Sequence, residues 1–132
     1  MLKIIISGCN GHMGRAVAEL CAGQPDVEAV AGFDILGQPN DSFPVFSSPA
    51  LCHVEADAVV DFSNPAALGQ LLEYGTSRHV PLVLATPGYE QDQLDMIEDT
   101  ARQVSIFRSA NMSLGINVLL ALVKQAAAAL GG

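Results

Sequence analysis

Gly8, Gly11 and Gly14 stand three apart in the segment SGCNGHMGR (Ser7 to Arg15), and Asp34 follows at the end of VAGFD. Glycines at such spacing, between a strand and a helix, let the backbone come close to an anion. The unpaired N–H groups of a helix N-terminus, with the positive end of its dipole, then hold a diphosphate. An acidic side chain about twenty residues further on sits where it meets the hydroxyls of an adenosine ribose. Together these residues predict a dinucleotide site. The spacing is G-x-x-G-x-x-G, not the commoner G-x-G-x-x-G. A glycine-rich turn without a ligand, with Asp34 as an ordinary turn residue, is therefore the alternative. Cys9 lies within the loop and is expected to be passive, and His12 stands near the phosphates.

The elements that must position these residues are legible in the apolar pattern. Leu2 to Ile6 is a short β-branched run, a strand buried on both faces. Met13, Val17, Leu20 and Cys21 recur at helical spacing, so a helix starts inside the loop. Val27 to Phe33 is a second strand. A turn-rich stretch with Pro39, Pro44 and Pro49 follows, with Val45-Phe46 as a minor strand and Ser47 or Ser48 capping a turn into Ala50-Leu51. Asp57 to Phe62 is the next strand. Asn64 caps a helix with Pro65 in its first turn, and Leu68, Leu71, Leu72 and Gly75 share one face. Pro81 to Ala85 forms a strand. Gln91 to Gln103 forms an amphipathic helix with Leu94, Ile97 and Ala101 inward, and Val104 to Phe107 forms another strand. Ser113 caps a final helix to Leu130. Its apolar stripe is wide enough to pack on the sheet and also face a missing partner.

Strictly alternating strands and helices predict a single α/β domain. The expected fold is a Rossmann-type, doubly wound parallel sheet in three α/β/α layers with right-handed crossovers. Ligands of such sheets bind at the carboxyl ends of the strands. Four loops belong there: Gly8–Gly14, Phe62–Pro65, Ala85–Gly88 and Ser109–Met112.

A chain of 132 residues is one domain's worth, and its formal net charge of −8 argues against nucleic-acid or anionic-membrane partners. With that charge an anionic cofactor is not drawn in by overall attraction, so local amides must hold it. The apolar run after Lys3 is too short for a signal peptide, and no segment is long enough to span a bilayer. Cys9, Cys21 and Cys52 lack a C-x-x-C pattern and are expected to remain reduced, in the cytoplasm. His12, His53 and His79 have no metal-ligand spacing.

The chain resembles the N-terminal domain of the dihydrodipicolinate reductase family, enzymes of bacterial lysine and diaminopimelate synthesis. The resemblance is carried in order by SGCNGHMGR, VAGFD, VVDFSNPAAL (Val59 to Leu68), LVLATPG (Leu82 to Gly88) and SANMSLGINVL (Ser109 to Leu119). It implies that Gly8, Cys9, Asn10, Gly11, His12 and Met13 hold the pyrophosphate and Asp34 the ribose. Phe62 would lie near the dinucleotide, Ala85, Thr86 and Pro87 would line the nicotinamide side, and Ser109, Ala110, Asn111 and Met112 would meet the nicotinamide end. The implied reaction is hydride transfer from NADH or NADPH to a cyclic imine precursor of tetrahydrodipicolinate. The resemblance also implies a tendency to homotetramers, through contacts that lie largely in the family's second domain.

The chain departs from the family pattern in three places. Members that grip a 2′-phosphate commonly place a basic residue after the ribose carboxylate, whereas Ile35 follows Asp34. NADH (NAD) is therefore the expected cofactor, with use of NADPH (NADP) left open by Arg15. The usual G-T-T-G or A-T-T-G loop reads Ala85-Thr86-Pro87-Gly88, and Pro87 lacks an N–H. The family's His-His-x-x-x-Lys segment and D-A-P-S-G-T-A motif have no counterpart before Gly132. Residues 1–132 thus read as a cofactor-binding domain without the substrate-binding and catalytic domain, expected to self-associate and to be inactive alone. Two other readings stay open: the cofactor domain of another two-domain NAD(P)-dependent dehydrogenase, and a stand-alone nucleotide-sensing or CoA-binding module.

Overall fold

The computed structural model describes residues 1–108 together with 121, 124 and 125. Its centre is β1 (Leu2–Ser7), in which Ile4, Ile5 and Ile6 are all fully buried. A β-branched run suits a strand covered on both faces, because alternate side chains enter opposite layers. Ile4 and Ile6 meet Val17 and Cys21 of α1 (His12–Ala22), whereas Ile5 joins Leu68, Leu71 and Leu72 on the other face.

Around β1 the strands are β2 (Val27–Phe33), β3 (Val45–Phe46), β4 (Ala58–Asp61), β5 (Leu82–Leu84) and β6 (Ile106–Arg108), all parallel and in the order β3-β2-β1-β4-β5-β6. The order reverses between β1 and β4, so the crossovers diverge there and a crevice opens at the carboxyl ends. α1 covers one face, and α2 (Leu68–Arg78) with α3 (Gln91–Thr100) covers the other. The expected three-layer Rossmann-type α/β domain is what forms. Among the described residues no helix is long and apolar enough to cross a membrane.

Local chemistry explains where the elements differ from expectation. Asn64 caps as expected, its Oδ1 accepting from Ala66 N–H at 2.8 Å. It opens a 3-10 turn (Pro65–Ala67) that runs into α2. Ser48, not Ser47, caps the turn Pro49–Leu51. α3 stops at Thr100, where Gln103 N–H returns to the Thr100 carbonyl at 2.9 Å and tightens the chain. Ala101 is consequently exposed instead of inward, and Val104 is a buried plug outside β6. Pro81 and Ala85 flank β5 without joining it, and Leu20 is 37% exposed on α1. His53 and His79 are exposed, His79 closing α2 in the left-handed conformation at φ 55°. Most of the final helix lies outside the described residues. Within it Ala121, Lys124 and Gln125 are helical, and the Lys124 ammonium pairs with the Asp26 carboxylate just before β2.

Two measurements check this packing. A Cβ at Gly14 would lie 2.1 Å from the Gly8 carbonyl oxygen and 2.9 Å from Cys9 Cα, both backbone atoms that cannot swing aside. Gly14→Ala is expected to cost about 3 kcal/mol and about 10 °C in melting temperature, and an unchanged melt would contradict the contact. All three cysteines are buried. Burial first, then the Asp34 charge, pushes the Cys9 thiol up to about 11, so it carries its proton at pH 8. Thiol reagents at that pH are expected to label none of the three cysteines before unfolding, and one fast-reacting thiol would count against the core.

Candidate functional site

Gly8 turns the chain off β1 with φ 81°, and a Cβ there would meet the backbone of Phe62 at 2.9 Å. The loop is thereby pressed against the end of β4, and α1 starts beside it with Gly11 at its N-cap. No side chain caps this helix, and the N–H groups of His12 and Met13 have no acceptor among the described residues. These are the orphan donors that an anion at a helix N-terminus satisfies.

Beside the loop, Asp34 leaves β2 with its N–H on the Phe46 carbonyl at 3.0 Å. Gly8, Gly11, Asp34 and Phe62 line one cleft of about 350 Å³, completed by Ile35, Ser47, Pro49, Ser63, Asn64 and the start of α2. Four of the sequence-predicted residues are therefore brought to one place. The far wall, Ser47 and Pro49, comes from the stretch that the sequence shows only as turns.

The other predicted residues fall elsewhere. Cys9 points into the core beneath α1 and is fully buried, leaving only its backbone to the loop. Asn10 turns its side chain to Asp34 at 3.0 Å and to the Gln38 carbonyl at 2.9 Å. His12 is exposed and Met13 half-buried on the first turn of α1. Ala85 and Thr86 are buried at the end of β5, and Pro87 is exposed. Ser109, Ala110, Asn111 and Met112 lie outside the described residues.

Thr86 belongs to a polar knot that the sequence reading missed. Asp61, the last residue of β4, is 1% exposed. Its Oδ1 accepts from Ser63 N–H at 3.0 Å and from Ser63 Oγ at 2.5 Å, and its Oδ2 accepts from Thr86 Oγ1 at 3.0 Å. A carboxylate taken from water without such donors would cost several kcal/mol, so the knot ties the loop after β4 to the loop after β5. Beside it the Tyr89 hydroxyl is buried without a partner among the described residues. Burial, then the charge of Asp61, pushes that phenol up to about 12, and it stays protonated. The available signal was the single acid ending the apolar run AVVD.

The glycine loop and Asp34 thus line one cleft of about 350 Å³ near the switch point. The glycine cradle, which side chains would fill, and the unpartnered amides fit a dinucleotide. Residues 2–112 match the family model described as dihydrodipicolinate reductase, N-terminus. The chain is 47% identical over 132 residues to the 4-hydroxy-tetrahydrodipicolinate reductase of Caldanaerobacter subterraneus subsp. tengcongensis, covering 100% of this chain and 52% of that protein. It is 45% identical over 124 residues to the Clostridium tetani protein of the same name, covering 94% of this chain and 49% of that one. The chain spans about half the length of the curated relatives it matches. Among solved structures, a dipicolinate-bound dihydrodipicolinate reductase from Paenisporosarcina sp. TG-14 superposes with a TM-score of 0.72 at 20% identity, over 97% of this chain and 54% of that one. An apo scyllo-inositol dehydrogenase from Lactobacillus casei superposes at 0.68 and 17% identity, over 95% of this chain and 41% of that one, a likeness of fold alone. On the strength of the family match, the chain belongs to the dihydrodipicolinate reductase N-terminal domain family.

Proposed function

We propose that this chain binds a reduced nicotinamide dinucleotide in the β1–β4 crevice. On this reading it serves as the cofactor-binding part of a 4-hydroxy-tetrahydrodipicolinate reductase. The observation that carries the reading is the placement of the glycine loop and Asp34 in the lining of one cleft. The relatives' shared name supplies the activity.

In this reading the backbone of Gly8 to Met13 holds the diphosphate, and Asp34 accepts the ribose hydroxyls. Phe62 covers the dinucleotide between them. Ala85, Thr86 and Pro87 line the nicotinamide side and Ser109 to Met112 its end. The cofactor, when bound, supplies the hydride. The chain's own residues bind and orient it, and the Asp61–Ser63–Thr86 knot keeps the two neighbouring loops in register. Substrate contacts and the proton donor are assigned to the half of the relatives' length that this chain does not span.

NADH is preferred over NADPH in this proposal. A 2′-phosphate would sit beside the Asp34 carboxylate, followed by the exposed, uncharged Ile35 and Leu36. Like charges so placed oppose binding, and neither neighbour offsets them.

Calorimetric titration is expected to show NADH binding about tenfold tighter than NADPH. Asp34→Ala should weaken NADH and narrow that gap. Failure to bind either dinucleotide would sink the cofactor assignment, and an unchanged ratio in Asp34→Ala would remove that residue from the ribose. Thr86→Val takes one donor from a buried carboxylate and is expected to cost about 2 kcal/mol in urea unfolding, with weaker NADH binding. A variant as stable as the parent would show that the knot holds nothing.

A further inference from the structure

We infer that Asn10 determines which dinucleotide the cleft accepts, by holding Asp34 in place instead of touching the phosphates. The inference rests on Asp34 as the ribose partner and adds the residue that governs it.

Both hydrogens of the Asn10 amide are committed. One goes to Asp34 Oδ2 at 3.0 Å and the other to the Gln38 carbonyl at 2.9 Å. Gln38 N–H donates to the same Asp34 oxygen at 3.0 Å, and Gly37 N–H closes the turn on the Asp34 carbonyl at 2.7 Å. The phosphate loop, the ribose carboxylate and the 34–38 turn therefore form one ring of hydrogen bonds. Asp34 Oδ2 is held by two donors, and Oδ1 carries none from the described residues, which leaves an acceptor for a ribose hydroxyl.

The same ring works against a 2′-phosphate. Two neutral donors beside the carboxylate, the Asn10 amide and the Gln38 N–H, are already turned to Asp34. With the carboxylate fixed by both, it cannot swing aside to admit a second anion. Selectivity then comes from a pre-set repulsive element as much as from attraction to the diol.

The test compares Asn10→Ala and Asn10→Asp with the parent and Asp34→Ala, titrating NADH and NADPH on chains shown by circular dichroism to be folded. Asn10→Ala is expected to lose roughly tenfold in NADH affinity, the usual effect of one donor lost from a charged acceptor. NADPH should change by less than about twofold, so that the ratio shrinks. Asn10→Asp sets a second carboxylate against Asp34, and two such groups share a proton with one pKa raised. Its NADH affinity, measured against the parent's at the same pH, is expected to be near equal at pH 5 and to fall behind as both groups ionise toward pH 8. Equal loss of both dinucleotides in Asn10→Ala, or a level pH profile in Asn10→Asp relative to the parent, would overturn the role of Asn10. If Asp34→Ala narrows the ratio and Asn10→Ala does not, this inference alone fails. If Asp34→Ala also leaves the ratio unchanged, the ribose assignment falls and this inference with it.

Discussion

The site depends on one close approach, that of α1 to the glycine loop at Gly14. No side chain fits between the Cα of Gly14 and the carbonyl of Gly8, so the helix can start directly beneath the end of β1. Its first N–H groups, on His12 and Met13, carry no acceptor among the described residues. Gly8 does the equivalent work toward β4, because its bare Cα lets the loop lie against the Phe62 backbone. Two missing Cβ atoms set how closely the loop and α1 lie against the ends of β1 and β4.

That local arrangement has to work against the molecule's overall electrostatics. A formal net charge of −8 gives no long-range attraction for a dinucleotide, and the nearest side-chain charge in the cleft is the Asp34 carboxylate. In the proposed binding mode the attraction comes from short-range donors and from a carboxylate aimed at hydroxyls. This explains why the walls are stiffened by hydrogen bonds. Asn10 and the 34–38 turn fix one wall, and Asp61 with Ser63 and Thr86 fixes the loops beyond β4. Preorganisation of this kind reduces the ordering cost of binding, which matters most where net attraction is weak.

Much of this was legible in the residues because their pattern and the fold agree. The three isoleucines of β1 are buried on both faces as a β-branched run implies, and Asn64-Pro65 opens a helical turn as cap and first-turn residues should. The glycine loop and Asp34 meet because a strand, a crossover helix and a parallel strand have only one favoured hand. What stayed hidden depends on contacts far apart in the chain. Nothing local shows that the Asn10 amide reaches a turn 28 residues away, or that Thr86 satisfies Asp61 across 25 residues. Ser47 and Pro49 look like loop punctuation until β3 pairs with β2 and carries them to the cleft. The end of α3 is not legible in the residues, because apolar periodicity continues through Ala101 whereas the backbone tightens after Thr100.

The central claim is that loop amides and a facing carboxylate form a dinucleotide cleft, and amide chemical-shift mapping tests it directly. On titration of the isotope-labelled chain with NADH, the account predicts that the largest shifts fall on Gly8, Gly11, His12, Met13 and Asp34, with Phe62 and Ser63 following. Saturating NADH that leaves those amides unmoved, or that moves a set on another face, would contradict it.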